Sequence, residues 1–123
     1  MKRLVTIAIV LGLVMPGGAV ASRVAAGSTR TALDRAAAPL LPRGIPERCL
    51  AARVTTKDGG NWATVGFNAL HYRSCVRWGF NGVVILRRAR GRWAYVTEGS
   101  AMIPCGRFGI PVAVRHDLRL PCR

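Results

Sequence analysis

Acidic side chains and histidines are scarce in this chain, which has five Asp and Glu residues and two histidines among 123 residues. Acid–base and nucleophilic mechanisms depend on carboxylates and imidazoles, so this shortage disfavours an enzyme. Four cysteines are too few for a disulfide-dense miniprotein, and no cysteine or histidine pair has the close spacing of a zinc site. We therefore expect no catalytic residues, no cofactor and no metal.

Arginine and apolar residues are plentiful. The chain carries 19 Lys and Arg residues, only two of them lysine, and its formal net charge is +14. Half of the residues are hydrophobic, which excludes a disordered, charge-rich chain. The length allows one domain at most. A GC-rich coding sequence produces arginine bias without selection for binding. The positive charge therefore has two interpretations: a solvated basic face, or a face that binds anions.

The first 21 residues have the layout of a secretory signal peptide. Lys2 and Arg3 form a positively charged n-region, and residues 4–15 are almost wholly apolar. Pro16-Gly17-Gly18 ends the apolar run, and the small residues Ala19-Val20-Ala21 fit the signal peptidase. A spanning helix needs about 20 apolar residues, so we predict a cleaved signal rather than a retained anchor.

Cleavage is expected before Ser22, with a second site after Ala26. Removal of 21 residues, two of them basic, leaves 102 residues with a formal charge of +12. We expect no transmembrane segment in this mature chain, and we expect it in the cell envelope or the medium. Nucleic acid is disfavoured as a partner by that location.

All four cysteines lie in the expected mature chain, and their even number in an oxidising compartment indicates two disulfides. Three connectivities are open, of which we prefer Cys49–Cys75 and Cys105–Cys122. These pairs are 26 and 17 positions apart. Each bond is expected to contribute roughly 3 kcal/mol by the chain-entropy model.

The mature chain divides at about residue 46. Residues 22–27 are small and are expected to be disordered. A short helix capped by Ser28 or Thr29 is predicted through residues 31–38, and prolines make 40–46 an extended linker. Residues 47–123 are expected to form a small disulfide-stabilised domain, preceded by this flexible and helical segment 22–46.

The domain is predicted to be α+β, with an antiparallel meander of four or five strands. Candidate strands are residues 51–56, 62–70, 75–78, 83–86 and 93–97. Asn81-Gly82 predicts a hairpin, and Arg90-Gly91-Arg92 predicts a second tight turn. Alternation makes Ala63 and Val65 core residues and turns Trp62 and Thr64 the other way. A short helix is expected over residues 111–118.

Several short motifs from Gly60 to Cys122 resemble those of small exported proteins of unassigned function from high-GC Gram-positive bacteria. The motifs are Gly60-Asn61-Trp62-Ala63-Thr64-Val65, Gly82-Val83-Val84-Ile85-Leu86-Arg87-Arg88, Gly91-Arg92-Trp93, Val96, Gly99-Ser100, Cys105, Ile110-Pro111 and Asp117-Leu118. The resemblance implies export, the meander and the Cys105–Cys122 bond. It leaves Cys49 and Cys75 to pair with each other, and it implies no activity.

Catalytic sets can be assembled only loosely. A nucleophilic triad would take Ser74 or Ser100, His71 or His116, and Asp117, but no G-x-S-x-G elbow marks either serine. The simpler interpretation is that both histidines lie on the surface. A glycosidase pair would need Glu98 and Asp117 to meet, whereas ion pairing with the many arginines explains the acidic residues equally well.

The strongest functional signal is basic. Four arginines, Arg87, Arg88, Arg90 and Arg92, cluster at a predicted hairpin tip beside Trp93. Guanidinium groups bind phosphate and carboxylate in a planar fork. The first hypothesis is a non-enzymatic binding module for an anionic envelope polymer, lipid head group or acidic protein. The alternative is a small secreted hydrolase or enzyme inhibitor; a membrane-disrupting toxin would need an amphipathic helix, which is missing.

Overall fold

The computed structural model describes residues 22–68, 72–78 and 82–123. Five strands form one antiparallel sheet in sequence order: β1 (Arg23–Val24), β2 (Leu50–Val54), β3 (Trp62–Phe67), β4 (Val83–Ala89) and β5 (Arg92–Gly99). The α-helices are α1 (Gly27–Ala37) and α2 (Val112–Asp117), and short 3-10 helices cover Ala38–Leu40, Glu47–Cys49, Asp58–Gly60, Arg73–Trp78 and Cys105–Phe108. The predicted disulfide-stabilised α+β meander is confirmed. The signal-peptide prediction falls on residues outside the described ranges.

The segment expected to be disordered is part of the sheet. Arg23 and Val24 pair with Val54 and Arg53 as the edge strand β1. The Arg53 guanidinium donates to the Ser22 hydroxyl at 2.7 Å and also to the Ser22 carbonyl. Ala25 is buried beneath α1. Because β2 otherwise presents an unpaired edge, these short polar and apolar contacts suffice to order residues 22–25, and segment 22–46 is integral to the fold.

Both faces of the sheet are covered. On one face α1 buries Leu33 and Ala37 against Ala63, Val65 and Leu86. The opposite face carries a second core built from sheet residues and the C-terminal segment, whose members include Trp62, Ile85, Ile103, Ile110 and Val114. The expected core positions of Ala63 and Val65 are thus confirmed, but Trp62 and Thr64 are buried too because the C-terminal segment covers them.

The C-terminal segment is closed by a disulfide. Cys105 and Cys122 are bonded, and Ile103 forms a parallel bridge with Cys122. Within the loop, α2 begins after Pro111 and is slightly shorter than predicted. The second bond joins Cys49 to Cys75, so the structure contains the preferred pairing.

The predicted strand at residues 75–78 is wrong. Cys75 is held in a 3-10 helix, Arg73–Trp78, by its bond to Cys49 next to β2. Strand β4 pairs with β3 instead, with Trp62 opposite Arg87 and Gly66 opposite Val83. Asn81 lies outside the described residues.

The sheet therefore has two distinct ends. At the hairpin end, which we define as residues 57–61 and 87–93, β4 turns into β5. At the disulfide end, defined as residues 47–49 and 72–78, β2 begins beside the Cys49–Cys75 bond. Strand β4 runs between them and is seven residues long, which separates the ends by about 20 Å at 3.3 Å per residue.

Candidate anion-binding surface

The predicted cluster of arginines occupies the β4–β5 turn. Ala89 pairs with Arg92, which leaves a two-residue loop of Arg90 and Gly91. Both loop residues have positive φ, 52° and 73°, the mirror-image turn geometry that matches strand twist. We call Arg87, Arg88, Arg90, Arg92 and Trp93 the hairpin patch.

The hairpin patch surrounds the end of the sheet and does not lie on one face. The Arg87 guanidinium lies 5.3 Å from the Trp62 ring on the face covered by the C-terminal segment. The Arg88 guanidinium lies 5.5 Å from the Trp93 ring on the α1 face. Arg90 and Arg92 are exposed, and their side chains make no hydrogen bond or ion pair within the described ranges. The patch therefore offers two positioned and two free cations.

Arg88 is the most constrained of the four. Its Nε and Nη2 atoms donate long hydrogen bonds of 3.4 and 3.3 Å to Asn61 Oδ1, and its backbone N–H donates to the Asn61 carbonyl at 2.7 Å. Nη2 also reaches the Gly59 carbonyl at 3.4 Å. The turn at residues 58–61 thus holds the Arg88 guanidinium through Nε and Nη2.

Trp62 supports Arg87 from below. The indole is 1% exposed and its Nε1 donates to Asp58 Oδ2 at 2.8 Å. This bond holds the ring against the second core and engages the Asp58 carboxylate in an internal contact. Nothing in the local sequence indicates that Asn61, Trp62 and Asp58 support the arginines, because only the β3–β4 register brings them together.

A shallow groove of about 320 Å³ extends the patch along the α1 face. Arg23, Arg88 and Trp93 line it together with Val54, Thr55 and the glycines of the 58–60 turn. Its only charged lining residues are the two arginines. Arg23 was missed by the sequence analysis because residues 22–27 were expected to be disordered.

Among the described residues, the members of the postulated triad are not brought together. His116 is exposed on α2, while Asp117 Oδ2 accepts hydrogen bonds of 2.7 Å from Thr55 Oγ1 and from the Thr56 backbone N–H. Burial would raise the pKa of Asp117, but these hydrogen bonds hold the pKa below its usual value. Asp117 thus fastens α2 to the end of β2. His71 lies outside the described residues.

The candidate serines and Glu98 are not in contact with Asp117 or His116 within the described residues. Ser74 accepts a 3.4 Å hydrogen bond from Arg48, and Ser100 is exposed beyond β5. Glu98 is exposed on β5, where it pairs with Val84 of β4. Strands β3 and β4 lie between β5, which carries Glu98, and β2, whose end Asp117 contacts. A glycosidase pair requires the two carboxylates to be closer.

A second charged cluster joins α1 to the start of β2. Arg30 Nε lies 3.6 Å from Asp34 and 3.1 Å from Glu47, and its Nη2 donates to the carbonyls of Glu47 and Leu50. Burial raises the pKa of Asp34, although Arg30 opposes that shift. The cluster borders a groove of about 670 Å³ beside residues 38–45, which is lined by both apolar and charged side chains. Arg30 thus binds groups within the fold and holds α1 against the start of β2.

Metal and membrane features are absent from the described part of the chain. No group of three or more His, Cys, Asp and Glu side chains there could hold a metal ion. Nor does any helix in residues 22–68, 72–78 and 82–123 have the length and apolar character needed to cross a bilayer. Comparison with protein-family models, curated proteins and solved structures gave no match.

Proposed function

We propose that the chain is an exported, non-enzymatic binding protein whose hairpin patch contacts an anionic polymer of the cell envelope or the extracellular space. The observation that carries this proposal is the arrangement of Arg87 and Arg88 on the rings of Trp62 and Trp93. Two guanidinium groups are positioned by contacts within the fold, so less side-chain entropy is lost when they bind an anion.

Charge around the patch also favours an anionic partner. Residues 59–97 contain six arginines and no Asp or Glu. Asp58, the carboxylate that precedes this stretch, is hydrogen-bonded to Trp62. The free cations Arg90 and Arg92 project from a rigid two-residue turn, a shape suited to the spaced phosphates or carboxylates of a polymer. The turn itself, residues 89–92, has no large apolar side chain.

The test uses polyphosphate as the probe and compares two charge-matched variants. Arg90→Glu/Arg92→Glu should weaken binding about tenfold, which corresponds to about 1.4 kcal/mol, and should reduce its salt dependence. Arg35→Glu/Arg107→Glu changes the net charge equally at exposed arginines of α1 and the 105–108 helix. Equal weakening by both variants would contradict a localised site, because binding would then follow net charge alone.

Export supports this assignment and can be tested separately. Cleavage before Ser22 preserves β1 and the buried Ala25, whereas cleavage after Ala26 would remove both. We therefore expect secreted protein to begin at Ser22 and to have a mass four hydrogens below that of the reduced chain. Intact-mass spectrometry with and without reductant checks both points; a full-length mass with free thiols would contradict export.

The hydrolase or inhibitor alternative has no supporting geometry among the described residues. His116 is exposed, whereas Asp117 is hydrogen-bonded to Thr55. Neither Ser74 nor Ser100 is hydrogen-bonded to a histidine within the described residues. A hydrolase would still require His71, so replacement of His71 by Ala in an esterase and glycosidase screen tests it. Activity that disappears with that change would favour the alternative over the binding protein.

A further inference from the structure

The disulfide end carries a short loop whose position is fixed covalently. The 3-10 helix Arg73–Trp78 lies in the connection between β3 and β4, and its buried Cys75 is bonded to the buried Cys49 beside β2. Arg48 on the base donates a 3.4 Å hydrogen bond to Ser74 Oγ. We call residues 72–78 the disulfide loop.

Two apolar side chains protrude from this loop. Val76 is 63% exposed and Tyr72 is 47% exposed. Val76 directly follows Cys75, which is fully buried, so the anchored cysteine turns its neighbour outward. A single exposed valine is unremarkable on a protein surface, but here an aromatic and an aliphatic side chain share one seven-residue projection.

Arginines flank the protruding side chains. Arg73 and Arg77 are exposed within the loop, and Arg48 is exposed at its base. The loop contains no acidic residue, and the neighbouring Glu47 is engaged by Arg30 at 3.1 Å. The Arg77 guanidinium lies 5.3 Å from the Trp78 ring. The loop therefore exposes two apolar side chains among cationic ones.

We propose that the disulfide loop docks the protein on an anionic lipid bilayer, with Val76 and Tyr72 entering the interface and Arg48, Arg73 and Arg77 contacting head groups. A bilayer interface accepts aliphatic and aromatic side chains and attracts basic residues through its surface potential. Arginine stems lie along apolar surface while their charged ends remain among phosphates. This surface is separate from the hairpin patch and does not depend on the proposed polymer binding.

An acidic protein fits this surface less well. A stable protein interface buries about 800 Å² on each partner, more than a loop of seven residues offers alone. A soluble polyanion would use the arginines but would give Val76 no apolar environment. A membrane surface is continuous and deformable, so it can surround a small projection and bury its tip.

The test measures partitioning of the full chain onto vesicles of phosphatidylcholine with phosphatidylglycerol. Val76→Asp should weaken partitioning at least about tenfold, since burying a charge in place of a valine is strongly unfavourable. Val112→Asp is the matched control, because Val112 is 59% exposed on α2 and the charge change is identical; it should change partitioning less than about twofold. Circular dichroism and an oxidised mass establish that both variants fold.

A gain-of-binding variant removes any remaining dependence on folding defects. Val76→Leu adds one buried methylene and should tighten partitioning about fourfold, whereas Val112→Leu should not change it. Arg73→Gln/Arg77→Gln should abolish the preference for phosphatidylglycerol over phosphatidylcholine alone.

Three outcomes would overturn the proposal. Equal loss in Val76→Asp and Val112→Asp would show that net charge alone drives adsorption. Full displacement by polyphosphate with no effect of Val76→Leu would assign the loop to a soluble polyanion. Vesicle binding lost in Arg90→Glu/Arg92→Glu and retained in Val76→Asp would move the contact to the hairpin patch. Failure of polyphosphate binding, by contrast, would affect only the proposed function.

Discussion

The hairpin end and the disulfide end of the sheet both present arginines, but different structures hold them. At the hairpin end, Arg87 and Arg88 are placed by strand register and lie against Trp62 and Trp93. At the disulfide end, a covalent bond rather than strand pairing positions the 3-10 helix Arg73–Trp78. The first end has a polar turn, whereas the second has exposed Val76 between arginines.

This difference shows that charge alone does not define a partner. Arginines on a rigid, polar turn suit separate anionic groups that approach from solution. Arginines around a protruding aliphatic side chain suit a surface with both head groups and an apolar interior. The two ends therefore match two anionic chemistries about 20 Å apart, and variants that alter one end should leave the other intact.

The largest expected effect follows removal of the disulfide at the second end. Cys49→Ala/Cys75→Ala opens a loop of 26 residues, and the chain-entropy model predicts a loss of about 3.5 kcal/mol in the free energy of unfolding. Urea denaturation measures this loss. At temperatures where the variant remains folded, vesicle binding should fall while polyphosphate binding persists, since β4 and β5 pair without the bond.

The control for this change is the other disulfide. Cys105→Ala/Cys122→Ala opens a 17-residue loop and should cost about 3 kcal/mol. Vesicle binding by folded protein should survive, because that bond closes the C-terminal segment. Similar vesicle-binding losses in both variants would mean that global stability, and not the anchoring of the loop, governs the contact.

Two glycines at opposite ends of β4 provide the next comparison. A Cβ added at Gly82, whose φ is +121°, would lie 2.8 Å from the Gly99 carbonyl oxygen, and backbone cannot move aside cheaply. Gly91 has a φ of +73°, and a Cβ there meets nothing within 4 Å. Gly82→Ala should therefore cost about 3 kcal/mol and Gly91→Ala about 1 kcal/mol.

Thermal unfolding of the two glycine variants checks this order. The prediction fails if Gly91→Ala is the more destabilising change, because strain in the two-residue turn would then exceed the steric conflict at Gly82. Gly91→Asn provides the control for conformation, since asparagine tolerates positive φ and should recover most of the loss.

The hairpin end also depends on Asp117. Asp117→Ala removes the acceptor for Thr55 Oγ1 and the Thr56 N–H, and should lower the free energy of unfolding by about 2 kcal/mol. Because the folded-state pKa of Asp117 is lowered, its contribution is fully present above the unfolded pKa and is lost as pH falls through the folded pKa. Urea midpoints should show a smaller difference between wild type and variant at strongly acidic pH than at neutral pH.

Asp34 provides a contrast for that pH profile. Burial raises the pKa of Asp34, so its protonation on acidification relieves an unfavourable charge. Asp34→Asn should therefore destabilise the chain less at neutral pH than Asp117→Ala does. A pH-independent effect of Asp117→Ala would indicate that its carboxylate charge is not what holds Thr55 and Thr56.

Local sequence signals predicted the hairpin end better than the disulfide end. The turn Arg90-Gly91 and strand β5 were visible because glycine and β-branched residues act within a few positions. Local propensity predicts a strand at residues 75–78, since Val76 and Trp78 favour strands, but these residues belong to the 3-10 helix Arg73–Trp78. Only the bond from Cys75 to Cys49, 26 positions away, and the pairing of β3 with β4 override that propensity.

Long-range packing also explains why the support of the hairpin patch was missed. Arg87 and Arg88 were expected at a hairpin tip, but nothing near them in sequence indicates that Trp62 and Asn61 lie beneath. Arg23 was assigned to a disordered segment because a two-residue edge strand has no periodicity to detect. Alternation predicted one core face for β3, whereas the C-terminal segment buries the second.

The smallest expected effect concerns how Arg88 is held. Arg88→Lys keeps the charge but removes the planar group that lies 5.5 Å from the Trp93 ring and donates to Asn61. A cation–π contact at an exposed site contributes about 0.5 kcal/mol or slightly more, so the free energy of unfolding should fall by about that amount.

Arg90→Lys is the control, because the Arg90 side chain has no hydrogen bond within the described residues. If the positioning of Arg88 contributes to recognition, polyphosphate binding should weaken more in Arg88→Lys than in Arg90→Lys. Equal binding by the two variants would show that the hairpin patch acts through charge without the stacked geometry.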